Sequence, residues 1–202
     1  IIVDPSEDEK IIPILKKKNL KLDCIFITHH HSDHTSGVLG LLKEYPGAQI
    51  YSPSELHSLT INKISNGDNI KTTLNEFQVL SAPGHTLDHV VLCDNKNNFL
   101  FVGDVLFRLG CGRIFEGTIE EMHNSLNKLL DLSDKMIVYC GHEYTLNNLK
   151  FLESDFFQNK ILENAKKQIL KDLDDKKRSV PFMLGDEKKC NPFLNPECEM
   201  TS

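Results

Sequence analysis

The chain has 202 residues, of which 40% are hydrophobic and 26% are charged, and its formal net charge is −6. These values are typical of a globular protein with one core of moderate size, and no apolar run reaches the length of a membrane-spanning helix. The negative net charge disfavours a nucleic-acid partner, because phosphate backbones are bound by clustered lysine and arginine side chains.

The amino-terminal segment predicts a strand followed by a helix. Ile1–Pro5 reads as the end of a strand, so the chain is expected to begin inside a fold. Ser6 and Glu9 have the spacing of a capping box, in which each side chain bonds the other residue's backbone N–H. The apolar periodicity then predicts a helix over Glu9–Lys18, with Pro13 causing a kink or a later start.

Further strands and helices alternate up to about residue 142, and helix dominates afterwards. Short β-rich runs predict strands, and segments with apolar residues at helical spacing predict helices. We therefore predict a layered α/β domain with a helical carboxyl-terminal part. The predicted helices are Gly37–Tyr45, Ile119–Leu130 and Phe156–Leu173. The predicted strands are Leu22–Thr28, Gln49–Tyr51, Phe77–Ser81, His89–Cys93, Phe99–Gly103 and Met136–Tyr139.

The six cysteines include no Cys-x-x-Cys pair, which disfavours a zinc knuckle. Several lie in apolar runs such as Asp23–Phe26, where buried free thiols are common. We therefore expect a reducing compartment and a cytoplasmic location. A targeting segment upstream of Ile1 is left open, because the chain has no initiator Met.

The segment richest in metal-binding residue types directly follows an apolar strand and reads Thr28-His29-His30-His31-Ser32-Asp33-His34. We expect His29 and His31 on the same side of an extended segment, because side chains alternate with a period of two, and His30 on the other side. After the following turn, Asp33 and His34 can offer an oxygen and a nitrogen to a neighbouring point. Four ligands of these types suit zinc, iron or manganese.

Three more segments run from a strand through a glycine to a residue type that binds metals. Glycine lets the chain turn sharply, so the next side chain can face the same end of a sheet. One such segment is weak evidence for a site, whereas four sets of strand-end ligands in one chain are a strong signal. The three segments are Ser81–Thr86 with His85, Phe101–Asp104 with Asp104, and Val138–His142 with His142.

The signature that begins at Thr28 resembles that of the metallo-β-lactamase superfamily. Further segments look like the hydroxyacylglutathione hydrolase family, and the resemblance covers nearly all 202 residues. These segments are Gly103–Phe107, Gly110–Gly117, Gly141–Phe151, Ser179–Pro181 and Asn191–Leu194.

The resemblance implies an α+β fold, a four-layer αββα sandwich with a carboxyl-terminal helical region. We expect a catalytic domain over residues 1–145 and a helical substrate-binding region over residues 146–202. The family pattern has additional strands before Ile1 and a basic segment beyond residue 202 that grips glutathione. The sandwich is therefore expected to be truncated at both ends.

The resemblance also implies two divalent metal ions, with zinc expected and iron or manganese as alternatives. The implied ligands are His29, His31 and His85 for the first ion, Asp33, His34 and His142 for the second, and Asp104 as the bridge. Of the other histidines, His89 reads as a structural residue or one that supports a ligand, and His57 and His123 read as non-ligands.

Such a centre suits thioester hydrolysis. Metal coordination lowers the pKa of water from about 16 to about 7, and two ions about 3.5–4 Å apart can hold the hydroxide and polarise the acyl oxygen. Asp33 would act in catalysis by orienting that hydroxide. The leaving thiolate needs no obvious general acid, because thiol pKa values lie near about 8–9.

The resemblance implies that the substrate is an S-(2-hydroxyacyl)glutathione, such as the S-D-lactoylglutathione of methylglyoxal detoxification. In the family, residues at the positions of Arg113, Phe115 and Tyr144 contact the glutathione moiety. Arg113 suits the two carboxylates of glutathione, although a salt bridge within its loop is the alternative. Phe115 lacks the hydroxyl that some members carry, so one hydrogen bond to the substrate is in doubt.

Three rival functions are weighed against this prediction. A mononuclear-iron persulfide dioxygenase of the same superfamily is disfavoured by Asp33, His34 and His142, which favour a second metal. A nucleic-acid-processing member is disfavoured by the charge balance. A non-catalytic member with impaired substrate binding is disfavoured by the seven intact ligands.

We expect the protein to be a monomer.

Overall fold

The computed structural model describes residues 1–56, 59–153 and 160–195, in which two β-sheets lie face to face between helices. The helices are α1 (Asp8–Lys17), α2 (Ser32–Thr35), α3 (Val38–Glu44), α4 (Ile119–Leu130), α5 (Thr145–Glu153), α6 (Lys160–Lys176) and α7 (Leu184–Cys190). The strands are β1 (Ile2–Val3), β2 (Cys24–Phe26), β3 (Gln49–Ser52), β4 (Asn62–Lys63), β5 (Asn69–Lys71), β6 (Glu76–Ser81), β7 (Val90–Asp94), β8 (Phe99–Gly103), β9 (Leu106–Phe107), β10 (Gly110–Cys111), β11 (Ile137–Cys140) and β12 (Phe182–Met183).

The two sheets differ in the direction of their strands. The first sheet is parallel and has the order β1-β2-β3-β4. The second has the order β12-β11-β8-β7-β6-β5, in which β8 and β11 are parallel and the other neighbours are antiparallel. Strands β9 and β10 form a separate hairpin. Because β12 pairs with β11, the carboxyl-terminal region supplies an edge strand to the second sheet.

Apolar clusters hold four layers together. The first sheet packs against α1 and α3, where Ile25 and Leu41 are fully buried. Between the sheets, the rings of Phe26 and Phe77 meet edge to face with 5.1 Å between their centroids. Helix α4 covers the outer face of the second sheet through Leu126 and its neighbours. The predicted αββα order is therefore confirmed.

The carboxyl-terminal helices form their own apolar cluster. Leu152 of α5 and Ile169 of α6 are buried in it together with Leu109, which lies between β9 and β10. This confirms the predicted helical carboxyl-terminal part, which the structure shows packed on the β9–β10 hairpin. The helix predicted over Phe156–Leu173 is observed as α6, and residues 156–159 lie outside the described residues.

The predicted capping box of α1 is wrong. The helix begins at Asp8, two residues after Ser6, and its N-cap Glu7 makes no side-chain cap hydrogen bond. A later start caused by Pro13 is also wrong, since Pro13 lies inside the helix. The apolar face of α1 packs on the first sheet, and we attribute the tolerance of an interior proline to this packing.

Two further predictions concern cysteines and membranes. Cys24, Cys93, Cys111, Cys140 and Cys190 are free thiols, whereas Cys198 lies outside the described residues. No helix within the described ranges is long and apolar enough to cross a membrane.

Candidate metal centre

Strand direction brings the predicted ligands to one edge of the sandwich. His85, Asp104 and His142 follow β6, β8 and β11, which run in the same direction within the second sheet. The histidine cluster that includes His29 follows β2 of the facing sheet. The carboxyl ends of these strands therefore deliver side chains from distant parts of the chain to one place.

Three imidazoles form the first group. His31 Nδ1 lies 3.1 Å from His29 Nε2 and 3.1 Å from His85 Nε2. The second ring nitrogen of His85, Nδ1, lies 2.7 Å from the carbonyl oxygen of Arg113, to which it can donate. A neutral His85 in that tautomer carries its lone pair on Nε2, which faces the group and is ready to bind a cation.

The second group contains two imidazoles and a carboxylate. His34 Nε2 lies 3.3 Å from His142 Nε2, and Asp33 Oδ2 lies 3.2 Å from His142 Nε2 and 3.8 Å from His34 Nε2. His34 is buried, whereas the Asp33 side chain is 56% exposed. Asp33 therefore lies where the group opens to solvent.

Asp104 lies between the two groups. Its Oδ1 atom is 3.5 Å from His34 Nε2, and its Oδ2 atom is 3.3 Å from His142 Nε2 and 3.5 Å from His85 Nε2. Oδ1 is buried and accepts no hydrogen bond from the described residues. A buried carboxylate oxygen without a donor is costly, and a cation beside it would remove that cost. The residues present thus fit divalent metal ions, and the nitrogen and oxygen donors match zinc, iron or manganese.

The pKa values of the buried groups shift in different directions within the centre. Burial lowers the pKa of His29 and favours its neutral form, which is the form that binds metals. Burial opposes protonation of His34, but the Asp104 and Asp4 carboxylates outweigh it and raise its pKa to about 10. Burial likewise opposes ionisation of Asp104, but the His142 and His34 imidazoles hold its pKa well below the ordinary value. Groups that favour a proton at His34 also favour a cation there.

Asp4 is a site residue that sequence reasoning missed. Its Oδ2 atom lies 2.9 Å from His34 Nδ1 and accepts the Thr28 hydroxyl at 2.7 Å. Thr28 Oγ1 can in turn accept from His29 Nδ1 at 3.0 Å. Asp4 therefore orients one histidine of each group. The sequence did carry a sign of this role. Asp4 follows a short strand directly, just as the predicted ligands follow theirs.

Two glycines permit the close packing of this centre. Gly103 has φ of +49°, and a Cβ there would lie 2.5 Å from Thr28 Oγ1 and 2.6 Å from His89 Nε2. A Cβ on Gly141 would lie 2.2 Å from Asp104 Oδ1. Any side chain at either position would displace the groups around Asp104.

The remaining histidines do not join the two groups. His89 is buried, stacks on His29 and accepts the backbone N–H of Asp104 at 3.1 Å, so it supports the carboxylate from behind. His30 points away, with its ring nitrogens 3.0 Å from Asp88 and 3.1 Å from Glu116. His123 contacts Asn127 on the exposed face of α4, and His57 lies outside the described residues.

The three predicted substrate contacts flank the centre. The Phe115 ring lies 5.2 Å from that of His85, and the Arg113 guanidinium lies 5.2 Å above the Phe115 ring. Tyr144 stacks on His142 with 5.0 Å between ring centroids. All three side chains are exposed, and no carboxylate among the described residues lies within ion-pair distance of Arg113. Two aromatic rings and an exposed guanidinium thus border the predicted ligands.

Comparison with known proteins identifies the family. Residues 1–142 match the family model described as "Metallo-beta-lactamase superfamily", and residues 143–201 match "Hydroxyacylglutathione hydrolase C-terminus". Hydroxyacylglutathione hydrolase of Citrobacter koseri is 39% identical, with 98% of this chain and 78% of the relative covered. Hydroxyacylglutathione hydrolase of Serratia proteamaculans is 40% identical, with 96% of this chain and 77% of the relative covered.

The fold has close structural counterparts. The crystal structure of BLEG-1 B3 metallo-beta-lactamase superposes with a TM-score of 0.68 at 23% identity, covering 95% of this chain and 87% of that one. This likeness shows the fold and agrees with the αββα layers described above. The chain therefore belongs to the metallo-beta-lactamase superfamily and, within it, to the hydroxyacylglutathione hydrolase family.

Proposed function

We propose that this protein is a metal-dependent hydrolase that converts an S-(2-hydroxyacyl)glutathione, such as S-D-lactoylglutathione, to glutathione and a 2-hydroxy acid. Its relatives are named hydroxyacylglutathione hydrolase over nearly its full length, which supports this substrate class. The single observation that carries the proposal is that Phe115 and Tyr144 flank the cluster around Asp104. Two such rings would offer the thiol portion of a substrate a surface beside the place where its carbonyl would react, which supports the proposal.

The proposed cofactor is a pair of divalent metal ions, with zinc expected and iron or manganese as alternatives. His29, His31 and His85 would hold one ion, Asp33, His34 and His142 the other, and Asp104 both. When bound, such ions lower the pKa of a coordinated water to about 7 and polarise an acyl oxygen.

The chain's own residues have three tasks in this proposal. Asp33, at the solvent-exposed edge of the cluster, accepts a hydrogen bond from the attacking water and aims its lone pair at the thioester carbon. Arg113 binds a glutathione carboxylate, and Tyr144 contacts the peptide portion. The thiolate leaves without a dedicated acid, because its conjugate thiol has a pKa near about 8–9.

We further propose that the protein acts as a monomer in the cytoplasm. The free thiols of the described cysteines support a reducing compartment. The rival persulfide dioxygenase would use one iron, whereas the second group of three ligands supports a two-metal hydrolase.

The test is a thioesterase assay that follows the release of free thiol. The metal-loaded protein is expected to hydrolyse S-D-lactoylglutathione and to act poorly on a lactoyl thioester of a short thiol that lacks the glutathione carboxylates. Equal kcat/KM for both thioesters would contradict glutathione recognition. Oxygen consumption with glutathione persulfide, in the absence of thioester hydrolysis, would favour the rival.

A further inference from the structure

Glu143 joins the loop of the metal centre to the carboxyl-terminal region. It lies between His142 and Tyr144 and is the first residue of the carboxyl-terminal family match. The Thr145 hydroxyl donates to Glu143 Oε1 at 2.7 Å, and the Ser179 hydroxyl also donates to this atom. Glu143 Oε2 accepts the backbone N–H of Ser179 at 2.9 Å and that of Val180 at 3.3 Å.

Ser179 is held from several directions. Its carbonyl oxygen accepts from the Arg108 guanidinium at 2.8 Å, and its hydroxyl lies 2.6 Å from that of Thr145. Ser179 is only 2% exposed, so these polar groups have little access to water. Glu143 is exposed, but its carboxylate accepts all four hydrogen bonds from Thr145, Ser179 and Val180, and hydrogen bonds to an ionised group are stronger than those between neutral groups. The carboxylate therefore binds a residue that is itself fixed on several sides.

The side chains on either side of Glu143 are more exposed than the most deeply buried histidines of the centre. His142 is 25% exposed and Tyr144 is 44% exposed, whereas His34 is 2% exposed and His29 is fully buried. Both rings contact Phe107, with 6.2 Å to His142 and 5.1 Å to Tyr144 between ring centroids, but each also faces solvent, so its position depends strongly on the backbone that carries it. The backbone that carries His142 and Tyr144 is anchored at Glu143.

We propose that Glu143 is a positioning residue that sets His142 and Tyr144 by tying their loop to Ser179. The metal part of this inference rests on the geometry of His142, and the substrate part also rests on the proposed function. Glu143 touches neither the metal ligand atoms nor the substrate; it acts through its neighbours in the chain. A substitution that frees this loop from Ser179 should weaken metal binding at the group that includes His142 and substrate binding at Tyr144 together.

Asp94 provides a matched control. Its buried carboxylate accepts the backbone N–H of Asn97 at 3.0 Å and the side-chain amides of Asn97 and Asn75 at 2.7 Å each. It lies at the end of β7 that is opposite the metal centre. Removing it costs comparable hydrogen bonds without touching the loop of His142.

The experiment compares Glu143→Ala, Glu143→Gln and Asp94→Ala with the parent by zinc competition against a chelator, by melting temperature, and by KM for S-D-lactoylglutathione. Glu143→Ala is expected to lower the zinc affinity of the site that includes His142 by about 10- to 100-fold and to raise KM. Asp94→Ala should lower the melting temperature and leave zinc affinity and KM at parental values. Glu143→Gln should recover much of the loss, because its amide oxygen can still accept the N–H groups of Ser179 and Val180.

The proposal would be overturned if Glu143→Ala lowered the melting temperature as Asp94→Ala does but bound zinc with parental affinity. Glu143 would then have a purely structural role. If Glu143→Ala does not fold, Ser179→Ala replaces it as the test variant. A smaller loss of zinc affinity is then expected, and an unchanged affinity would contradict the proposal. A parent that binds zinc but hydrolyses no glutathione thioester would refute the proposed function, while the zinc titrations would still test Glu143.

Discussion

His34 Nδ1 lies 2.9 Å from Asp4 Oδ2, a carboxylate that precedes it by 30 residues. The same carboxylate accepts the backbone N–H of Thr28 at 2.8 Å and the Thr28 hydroxyl at 2.7 Å. Three donors thus share one acidic group, and two of them determine how His34 and His29 present their lone pairs to the centre.

Asp4→Asn is expected to weaken metal binding. Asparagine offers one acceptor oxygen and no charge, so at least one of the three donors loses its partner. Loss of such a supporting carboxylate typically costs about 10- to 100-fold in metal affinity. Zinc competition against a chelator measures it, with Asp94→Asn as the control. An unchanged affinity in Asp4→Asn would show that Asp4 does not orient the histidines.

Asp33→Asn should lower kcat more than it raises KM. Asp33 Oδ2 lies 3.2 Å from His142 Nε2 and faces solvent, so the change alters the surroundings of the attacking water and leaves the thiol side of the substrate alone. A fall in kcat of at least about tenfold corresponds to about 1.4 kcal/mol in the barrier. Steady-state kinetics at measured metal content provide the test. A kcat within about twofold of the parent at normal metal content would remove Asp33 from the mechanism.

Arg113→Ala should raise KM by about tenfold or more with kcat nearly preserved, because glutathione carboxylates lie away from the reacting carbonyl. Added salt should weaken substrate binding by the parent and barely affect the variant. Lys71→Ala, which removes an exposed cation from β5, is the control. A KM that stays at the parental value would mean that Arg113 does not bind the substrate.

Glu187→Gln should make stability less dependent on pH. Burial raises the pKa of Glu187 to about 7, against hydrogen bonds from Leu109 and Asn191 that lower it. The folded protein therefore binds more protons than the unfolded chain between the ordinary pKa of 4.5 and about 7, and its free energy of unfolding falls as the pH rises through that window.

Glutamine keeps the acceptor oxygen and cannot ionise. The stability of the variant relative to the parent should therefore grow by up to about 3 kcal/mol from pH 4.5 to pH 7 and stay constant above it. Urea unfolding at several pH values measures this difference. A constant difference across the window would show that Glu187 does not ionise within it.

Local pattern predicts well which ligand-type residues lie together at the centre, and it predicts their supports poorly. His85, Asp104 and His142 each follow a strand and a glycine, so their chemistry and their common edge are visible over a few residues. The contact of Asp4 with His34 depends on the pairing of β1 with β2, and that of Glu143 with Ser179 spans 36 residues. Such partners are set by tertiary packing, which periodicity does not encode.

Short length explains several of the strands that sequence analysis missed. Strands β4, β9 and β12 have two residues each, too few to show an alternating pattern. Ser6 and Glu9 have the spacing of a capping box but do not form one at α1. Thr118 and Glu121 form a capping box at the start of α4. Helix α4 itself was predicted with its observed bounds, Ile119–Leu130, because its apolar stripe runs for three turns.

The most direct test of a two-metal thioester hydrolase is a metal titration of the chelator-treated protein, with S-D-lactoylglutathione hydrolysis followed at each addition of zinc. We predict that activity is absent without metal and rises until two equivalents per chain are bound. Asp104→Ala should prevent the second equivalent from binding tightly. Full activity at one tightly bound ion, or hydrolysis that needs no metal, would contradict the account.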